Sequence, residues 1–451
     1  MDQNHINTLA SSQHKEKLIN ATSASHYEPS RRSEMGERDG PVTGIATSPR
    51  RFLILFIFVL TVFLVNAAER VKLWFRDASG AFTFLVYMDN VIYVVMFFPA
   101  VIFIEKFGMR ISFIAAIALS LIGSWIALTV QNKGAQVFGQ LLIDCGFPLV
   151  ASAVTKVPAQ WFPFKERFYA TSVGIMAGMF GYALGDTTEA IFGKENAINF
   201  AITLTVIGGV IITLLILFYQ DTPNEPPSVS QAQKEGSHLE LKGDLAILLK
   251  DTAFLLATIS TALYICFTVD VSKGLANIIK LGDIDIQDIE GITIFFYVPG
   301  IISIMLPAFF LGRGIMLYRT VYLIVEIVAF VAVGILVVAI AYASENQQFL
   351  YISSIVNGFV MSMNMPLAYE IVAEQGYPFS EALTAGAVHA FYALFRLILK
   401  GLNRVLDEDN AGIASTAYCF VLIVLVFLSF ILMFFAKIKH RRLKMELKAD
   451  K

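Results

Sequence analysis

Long apolar segments follow one another along almost the whole chain, and they limit the folds that it can adopt. A transmembrane helix needs about 20 mostly apolar residues, and twelve stretches of that kind can be read from the sequence. Hydrophobic residues make up 56% of the chain and charged residues only 16%, which is more apolar surface than a soluble fold could bury. The sequence therefore predicts an all-α membrane protein. The candidate spans are 52–75, 81–104, 111–130, 136–157, 168–192, 197–219, 252–279, 291–312, 318–342, 348–370, 382–405 and 411–436.

Polar segments divide these spans into two sets of six. We expect residues 51–219 to form an N-terminal six-helix bundle and residues 251–436 a C-terminal one, joined by a cytoplasmic linker at 220–250. Residues 1–50 are polar, which predicts a disordered cytoplasmic tail, and residues 437–451 read as a basic cytoplasmic tail. The excess of Lys and Arg beside the spans places both termini and the linker on the cytoplasmic side.

Five carboxylates lie inside the apolar spans: Glu69, Asp89, Asp144, Asp186 and Asp270. At 1.5 Å of rise per residue, each lies roughly 8–14 Å from the predicted extracellular end of its helix. Ionisable groups at such a depth are costly and normally face a polar cavity. These acids therefore turn helices 1, 2, 4, 5 and 7 inward, whereas helices 3, 6, 9 and 12 face lipid. The arrangement resembles the major facilitator superfamily fold, with twelve transmembrane helices in two six-helix halves.

The buried acids have more than one interpretation. Each acid could pair with a neighbouring base, as Glu69 with Arg70 or Asp270 with Lys273, or could snorkel to the outer interface. Together they could instead form a weakly negative outer vestibule that concentrates cations. The acids of helices 2 and 4 are also candidates for proton coupling.

Further candidates for the substrate pathway are uncharged or basic. Tyr93 and Tyr264 are aromatic candidates for a cage around a cation, and Arg70 lies beside the first acid. Asn357 and Asn364 belong to helix 10, where amide side chains either join helices or line a pathway.

The turn between helices 2 and 3 predicts part of a cytoplasmic gate. It reads "FIEKFGMR", with Glu105, Lys106 and Arg110. It resembles the Asp-Arg-x-Gly-Arg turn of major facilitators, although Glu replaces Asp. In that turn a carboxylate meets a helix N-terminus or an arginine and holds the inner side closed.

A second group of gate candidates follows helix 10. We expect Glu370, Glu374 and Glu381 to face the basic turns 106–110 and 165–167 and to form salt bridges that close the cytoplasmic side. The alternative is a solvated turn, in which exposed ion pairs contribute less than about 1 kcal/mol.

Several motifs resemble the feline leukaemia virus subgroup C receptor family of transporters. They include "VNAAER", "FFPAVIFIEKFGMR" and "QWFPFKERFYATSVG". The most specific match lies around the turn after helix 10, where the family reads Pro-Leu-x-x-Glu, then Glu, then Tyr-Pro-x-x-Glu and Gly. The matching residues are Pro366, Leu367, Glu370, Glu374, Tyr377, Pro378, Glu381 and Gly386.

This resemblance implies a facilitative carrier of small organic solutes, since choline and ethanolamine are attributed to the family and haem has been proposed. The chain departs from the family at its predicted substrate site. Arg70 stands where the family has the tryptophan of its choline cage, Phe147 replaces a glutamine, and Tyr264 matches the helix 7 tyrosine. An arginine in the cage would repel a quaternary amine unless Glu69 or another acid neutralised it.

The sequence thus predicts a secondary-active or facilitative transporter of a small organic solute, working by alternating access. A non-transporting receptor or sensor on a transporter scaffold is the alternative. We expect no enzymatic activity, no cofactor, no metal site and no nucleic-acid partner, and we expect a monomer in the plasma or endolysosomal membrane. No nucleotide-binding Gly-rich loop occurs in the sequence, so any driving force would come from a gradient.

Overall fold

The computed structural model describes residues 46–75, 79–130, 132–193, 196–234, 241–279, 286–311, 317–341, 347–407 and 411–449. Most of the predicted disordered tail, residues 1–45, lies outside the described residues. The fold prediction is confirmed: the described chain is built from α-helices. The long helices are α1 (Arg51–Ala68), α2 and α3 (within Ser79–Thr129), α4 (Lys133–Ala151), α5 (Phe164–Phe192), α6 (Ala197–Phe218), α7 (Thr252–Ile279), α8 (Ile286–Ser303), α9 (Tyr318–Ala341), α10 (Gln347–Met363), α11 (Glu381–Asp407), α12 (Ala411–Phe435) and the C-terminal α13 (Arg441–Ala449).

Short helical segments extend or connect the long helices. A 3₁₀ segment, Glu69–Phe75, continues α1, and the helix Met365–Gly376 continues α10 after Asn364. Four further short helices follow long ones. Lys156–Trp161 follows α4, Val229–Ala232 and Leu241–Lys250 follow α6, and Leu306–Leu311 follows α8.

Helices α2 and α3 are separated at Gly108, which has φ 84° and ψ 168°. Only glycine adopts this backbone conformation readily. The carboxylate of Asp221 also lies 2.6–2.9 Å from the point that a Cβ at Gly108 would occupy. The backbone N–H of Arg110 donates to that carboxylate over 2.7 Å, so the glycine permits the acid to cap the start of α3.

Apolar faces of the peripheral helices are exposed, as a lipid-facing surface requires. On α6, Val206 is 62% and Leu217 66% exposed; on α9 and α12, Val331 is 55% and Phe427 53% exposed. Among the described residues, eight helical stretches are individually long and apolar enough to cross a bilayer, and two shorter apolar helices accompany them. One of the eight, Tyr87–Thr129, contains both α2 and α3.

The two halves meet along α2 and α11, and along α5 with α8. The bundle has two ends, which are named here by the segments that they carry. The "linker end" carries the start of α1, the Gly108 turn, the segment after α6 and α13. The "far end" carries the 3₁₀ segment, the start of α2 and the ends of α5, α7 and α11.

Candidate transport pathway

A cavity of about 150 Å³ lies between the two halves. Helices α1, α4 and α5 line one side, and α7, α8, α10 and α11 line the other. Most of the lining is aliphatic or aromatic, and among the described residues no carboxylate contributes to it. The polar side chains on its wall are Asn66, Tyr182, Thr268, Tyr297, Ser362, Tyr369, His389 and Tyr392.

His389 is the histidine on the cavity wall, and it is only partly hydrogen-bonded. Its Nε2 lies 2.9 Å from the hydroxyl of Tyr369, and the ring of Phe147 packs against it edge-on at 5.8 Å. Its Nδ1 is buried and has no hydrogen-bond partner among the described residues. This nitrogen is thus an unsatisfied polar atom within a residue of the cavity wall.

The far end is closed by buried ion pairs centred on Lys72. This side chain is only 4% exposed and bonds both Glu69 and Asp89, the latter over 2.9 Å. From the other half of the protein, the ammonium of Lys400 lies 3.5 Å from Asp89. Tyr87 donates a further bond of 2.9 Å to the carbonyl of Lys400. Asp89 and Tyr87 on α2 thus hold α11 at this end.

Arg70 forms a second set of bonds at the far end. Its guanidinium pairs with Asp186 and lies 3.7 Å from Glu69. Across the interface, the hydroxyl of Tyr297 donates to Asp186 over 3.1 Å. The Arg70 guanidinium also lies over the ring of Tyr182, 5.2 Å from its centre. Arg70 is thus neutralised and stays behind the cavity wall instead of lining it.

In the C-terminal half, Asp270 pairs with Arg396 on α11 over 3.2 Å. Arg396 also donates to the hydroxyl of Tyr392, a cavity residue, over 3.2 Å. The side chain of Lys273, the partner that the sequence suggested for Asp270, lies outside the described residues, so that pairing stays a prediction.

Asp144 differs from the other four acids because no described base is bonded to it. It is fully buried, and Gln140 donates to one of its oxygens over 2.8 Å while the other has no described partner. Nearby, Tyr93 donates to Glu69 over 3.4 Å and stacks on Phe147, with ring centres 4.8 Å apart. Since Phe147 lines the cavity, this stacked pair separates the cavity from the far-end acids.

The structure brings seven of the ten predicted pathway residues together at the far end, but none of the ten lines the cavity. The other three, Tyr264, Asn357 and Asn364, bond helices within the C-terminal half. Tyr264 donates to the carbonyl of Met361 over 3.1 Å, Asn357 to that of Ala332 over 2.9 Å, and Asn364 to that of Tyr322 over 3.3 Å. Their part in the pathway stays a prediction.

At the linker end, Glu370 and Glu374 are buried, with 4% and 1% exposure. The expected pairing with the turns 106–110 and 165–167 stays a prediction, and Arg167 of the second turn lies close enough to Glu370 to interact with it electrostatically. Arg442 of α13 bonds both acids, Glu370 over 2.5 Å and Glu374 over 2.8 Å. Burial alone would lower the pKa of Arg442, but the two carboxylates raise it above its ordinary value. The segment that read as a basic tail therefore supplies a buried counterion.

Helix α13 also holds the segment after α6. The Glu446 carboxylate accepts bonds from the backbone N–H groups of Val229 and Ser230 over 3.2 and 3.0 Å. These groups lie at the start of the short helix Val229–Ala232. Lys234, a few residues further on, pairs with Glu381 over 2.6 Å.

Hydrogen bonds between described residues join the halves at the linker end. Thr171 on α5 donates to Glu370 over 2.7 Å, and Thr155 donates to the carbonyl of Glu381 over 3.2 Å. The Ser380 hydroxyl donates to Glu105, which also pairs with Lys156 over 2.5 Å. Three of the predicted gate residues, Glu105, Glu370 and Glu381, thus lie at this interface.

The other gate candidates do not cross between the halves. Lys106 is exposed, with its ammonium 5.5 Å from the ring centre of Phe107. Arg110 bonds the carbonyl of Ile216 and, through its backbone, Asp221. Both contacts stay within the N-terminal half and the segment that follows it.

A polar stripe on α11 was not recognised as a unit in the sequence. His389, Tyr392, Arg396 and Lys400 are spaced by three, four and four residues, which puts them on one face of a helix. The spacing could have identified this face of α11 from the sequence. The face turns toward the cavity at one end and toward the far-end acids at the other.

Two helical bundles that enclose a cavity and are bonded to each other at both of its ends have the architecture of a secondary transporter. Residues 51–399 match the family described as Major Facilitator Superfamily, and the chain belongs to that superfamily.

Curated relatives confirm the narrower resemblance at low identity. The chain is similar to the choline/ethanolamine transporter flvcr2a of Danio rerio, with 23% identity over 83% of this chain and 84% of the relative. It is 24% identical to the choline/ethanolamine transporter FLVCR1 of Felis catus, over 90% and 76% of the two chains. An uncharacterized transporter of the superfamily from Caenorhabditis elegans is 21% identical over 71% and 56%.

Solved structures share the fold. The fucose:proton symporter FucP of E. coli aligns with a TM-score of 0.64 and 13% identity, covering 86% of this chain and 99% of that one. The proton:xylose symporter XylE aligns with a TM-score of 0.68 and 14% identity, over 90% and 99%. The protein is a multi-pass membrane transporter, and these relatives give no support to the receptor or sensor alternative.

Proposed function

We propose that the protein carries a small organic amine of the choline or ethanolamine class through the central cavity. The observation that carries the proposal is the cavity itself, which is partly walled by tyrosines and lies between two sets of bonds that join the halves. Aromatic faces attract organic cations and tolerate their apolar groups. The curated relatives named as choline/ethanolamine transporters support the same class.

The size of the cavity favours such a cargo over haem. A protein cavity of roughly 150 Å³ holds a molecule as large as benzene, and the volume here is about 150 Å³. Choline and ethanolamine are close to that size, whereas haem is several times larger. Haem would require a much wider opening of the two halves.

Charge near the cavity also suits a cation. The buried side chains described at the far end comprise five carboxylates and the four bases Arg70, Lys72, Arg396 and Lys400, an excess of one acid within this cluster. The arginine that replaces the family's cage tryptophan is paired with Asp186 and does not face the cavity. Because its charge is neutralised, Arg70 does not exclude a quaternary amine from the cavity.

Alternating access would break the bonds at one end at a time. Opening the far end separates Asp89 from Lys400 and Asp186 from Tyr297, and opening the linker end separates Thr171 from Glu370. With both termini cytoplasmic, the linker end is the inner gate and the far end the outer gate. We propose a monomer that works as a facilitative or gradient-driven carrier in the plasma or endolysosomal membrane.

Uptake into proteoliposomes tests the proposal. Labelled choline and ethanolamine should enter saturably, and Tyr182→Ala should weaken uptake because an aromatic wall contributes about 0.5–2 kcal/mol to binding a cation. That corresponds to roughly a 2- to 30-fold higher half-saturation concentration. The matched control is Phe427→Ala, which removes an aromatic ring that is 53% exposed on the outer surface.

The result has a clear negative form. If neither amine enters faster than into protein-free vesicles while another solute from a metabolite panel does, the substrate class is wrong. If no solute enters although the purified protein is monodisperse, transport itself is in doubt.

A further inference from the structure

Helix α9 faces lipid but contains one carboxylate, Glu326. Neighbouring side chains on this helix are exposed, with Ile327 at 53% and Val328 at 46%, whereas Glu326 is 0% exposed. Its side chain turns inward and contacts Ser429 on α12. Ser429 in turn contacts Ser260 on α7. A lone acid so placed has no part in the cavity or in either set of bonds between the halves.

The hydrogen bonds around Glu326 can be counted atom by atom. The Ser429 Oγ lies 2.5 Å from one oxygen of Glu326 and 2.9 Å from the backbone carbonyl of Ser260. The Ser260 hydroxyl is committed to the carbonyl of Ser429, over 2.9 Å. The hydroxyl of Tyr322 lies 3.5 Å from Ser429 Oγ and is also close enough to Glu326 to donate to it. Two acceptors, the Ser260 carbonyl and the Glu326 oxygen, therefore compete for the hydrogen of Ser429.

A hydroxyl has one hydrogen to donate and can accept as well. If Glu326 is ionised, Ser429 can satisfy the carboxylate or the Ser260 carbonyl, but not both. If Glu326 carries a proton, the acid donates to Ser429 Oγ and Ser429 donates to the Ser260 carbonyl. Each of the two contacts of Ser429 Oγ then contains a hydrogen.

No charge is placed to stabilise an ionised Glu326. Among the described residues, no Lys, Arg or His is bonded to it, and its second oxygen is buried without a partner. The titratable groups that face it are both tyrosines: Tyr322 on α9 itself and Tyr264 on α7, whose ring lies 5.7 Å from that of Tyr322. Helix α12 contributes Ser429, and α10 contributes Asn364, which bonds the Tyr322 carbonyl. An unpaired carboxylate in such surroundings is strongly disfavoured.

We propose that Glu326, Ser429, Ser260 and Tyr322 form a proton-binding site inside the C-terminal half, separate from the solute cavity. In the conformation described, the site holds one proton, as the neutral acid of Glu326. The proton completes the hydrogen-bonded link between α9, α12 and α7. Helix α7 then continues to the cavity wall at Thr268, so the state of the site is connected to the pathway through one rigid helix.

Infrared difference spectroscopy of the purified protein in lipid tests the occupancy directly. Wild type at neutral pH should show the C=O stretch of a protonated carboxyl group, and Glu326→Gln should remove the component due to Glu326, whereas any component from the buried Asp144 should stay. The matched control, Glu374→Gln, removes a buried glutamate that is paired with Arg442, so the band should remain. A wild-type spectrum without the band, or a band unaffected by Glu326→Gln, would overturn the proposal.

Thermal melting gives a second readout that does not depend on transport. Raising the pH should lower the melting temperature of wild type more than that of Glu326→Gln, because loss of the proton leaves a buried charge. Equal pH dependence in the two proteins would contradict the site. A melting temperature that rises with Na⁺ at constant ionic strength, and only in wild type, would show that the acid holds a metal cation instead of a proton.

Discussion

Replacing Arg442 by methionine should open the linker end of the protein. The arginine is 2% exposed and is the partner of both Glu370 and Glu374. Methionine keeps much of the apolar bulk of the side chain but leaves the two acids buried without a cation whenever α13 is docked. Removing one partner of a buried ion pair costs about 3–5 kcal/mol.

This cost destabilises only the closed state. In the open state α13 has left, and water hydrates the two acids. At about 1.4 kcal/mol per factor of ten, the ratio of open to closed linker ends should rise roughly 100- to 4,000-fold. The change should therefore be visible as accessibility, even if the closed form remains populated.

Cysteine labelling measures that accessibility. Val154→Cys places a thiol on the cavity wall in a variant whose native cysteines are replaced by serine. An impermeant maleimide added from the linker side should label it much faster in the Arg442→Met background. Arg441→Gln is the matched control, since this neighbouring arginine is 37% exposed in its pair with Asp251, and an exposed pair contributes less than about 1 kcal/mol.

Two outcomes would refute the reasoning. One is an equal labelling rate in the Arg442→Met and Arg441→Gln proteins. The other concerns stability: adding Glu370→Gln and Glu374→Gln to Arg442→Met removes the unpaired charges and should recover much of any loss in melting temperature. If the triple variant is no more stable than Arg442→Met, charge is not the cause.

Two further substitutions probe the far end and the Gly108 turn. Lys72→Gln should lower the melting temperature and slow uptake, because it leaves Glu69 and Asp89 buried without their shared cation, a cost of about 3–5 kcal/mol; if the exposed Lys133→Gln does the same, the buried cluster is not responsible. Gly108→Ala should cost roughly 1–3 kcal/mol, since only glycine readily adopts φ 84° with ψ 168° and the added Cβ would lie 2.6 Å from the Asp221 carboxylate. Gly209→Ala, with no atom within 4 Å of its added methyl group, should be neutral or slightly stabilising in the same melting assay.

The membrane fold could be predicted because the constraint is collective. Twelve apolar stretches and a polar segment in the middle define the architecture, whichever individual residues face the core. The gathering of Glu69, Asp89 and Asp186 was predictable for a similar reason. Acids at the same depth on helices that turn inward avoid lipid by facing the interior, where they lie close to one another.

The cavity wall could not be predicted in the same way. A helix that is apolar on all sides gives no sequence signal for its rotation, so Tyr182 and Tyr297 looked no different from packing residues. Asn357 and Asn364 had the right composition for a pathway but bond neighbouring helices here. Arg442 was hidden by its surroundings, because a basic segment next to a membrane reads as solvated until the docking of α13 is known.

The position of Arg442 gives the C-terminal segment a role that its composition conceals. Glu370 and Glu374 lie one helical turn apart, and two like charges at that spacing repel each other. Without α13, the linker end would present these two carboxylates to solvent without the cation that bonds them. A chain that stopped before Arg441 would thus lose the ion pairs that hold the linker end closed. The unliganded protein would then favour a different conformation.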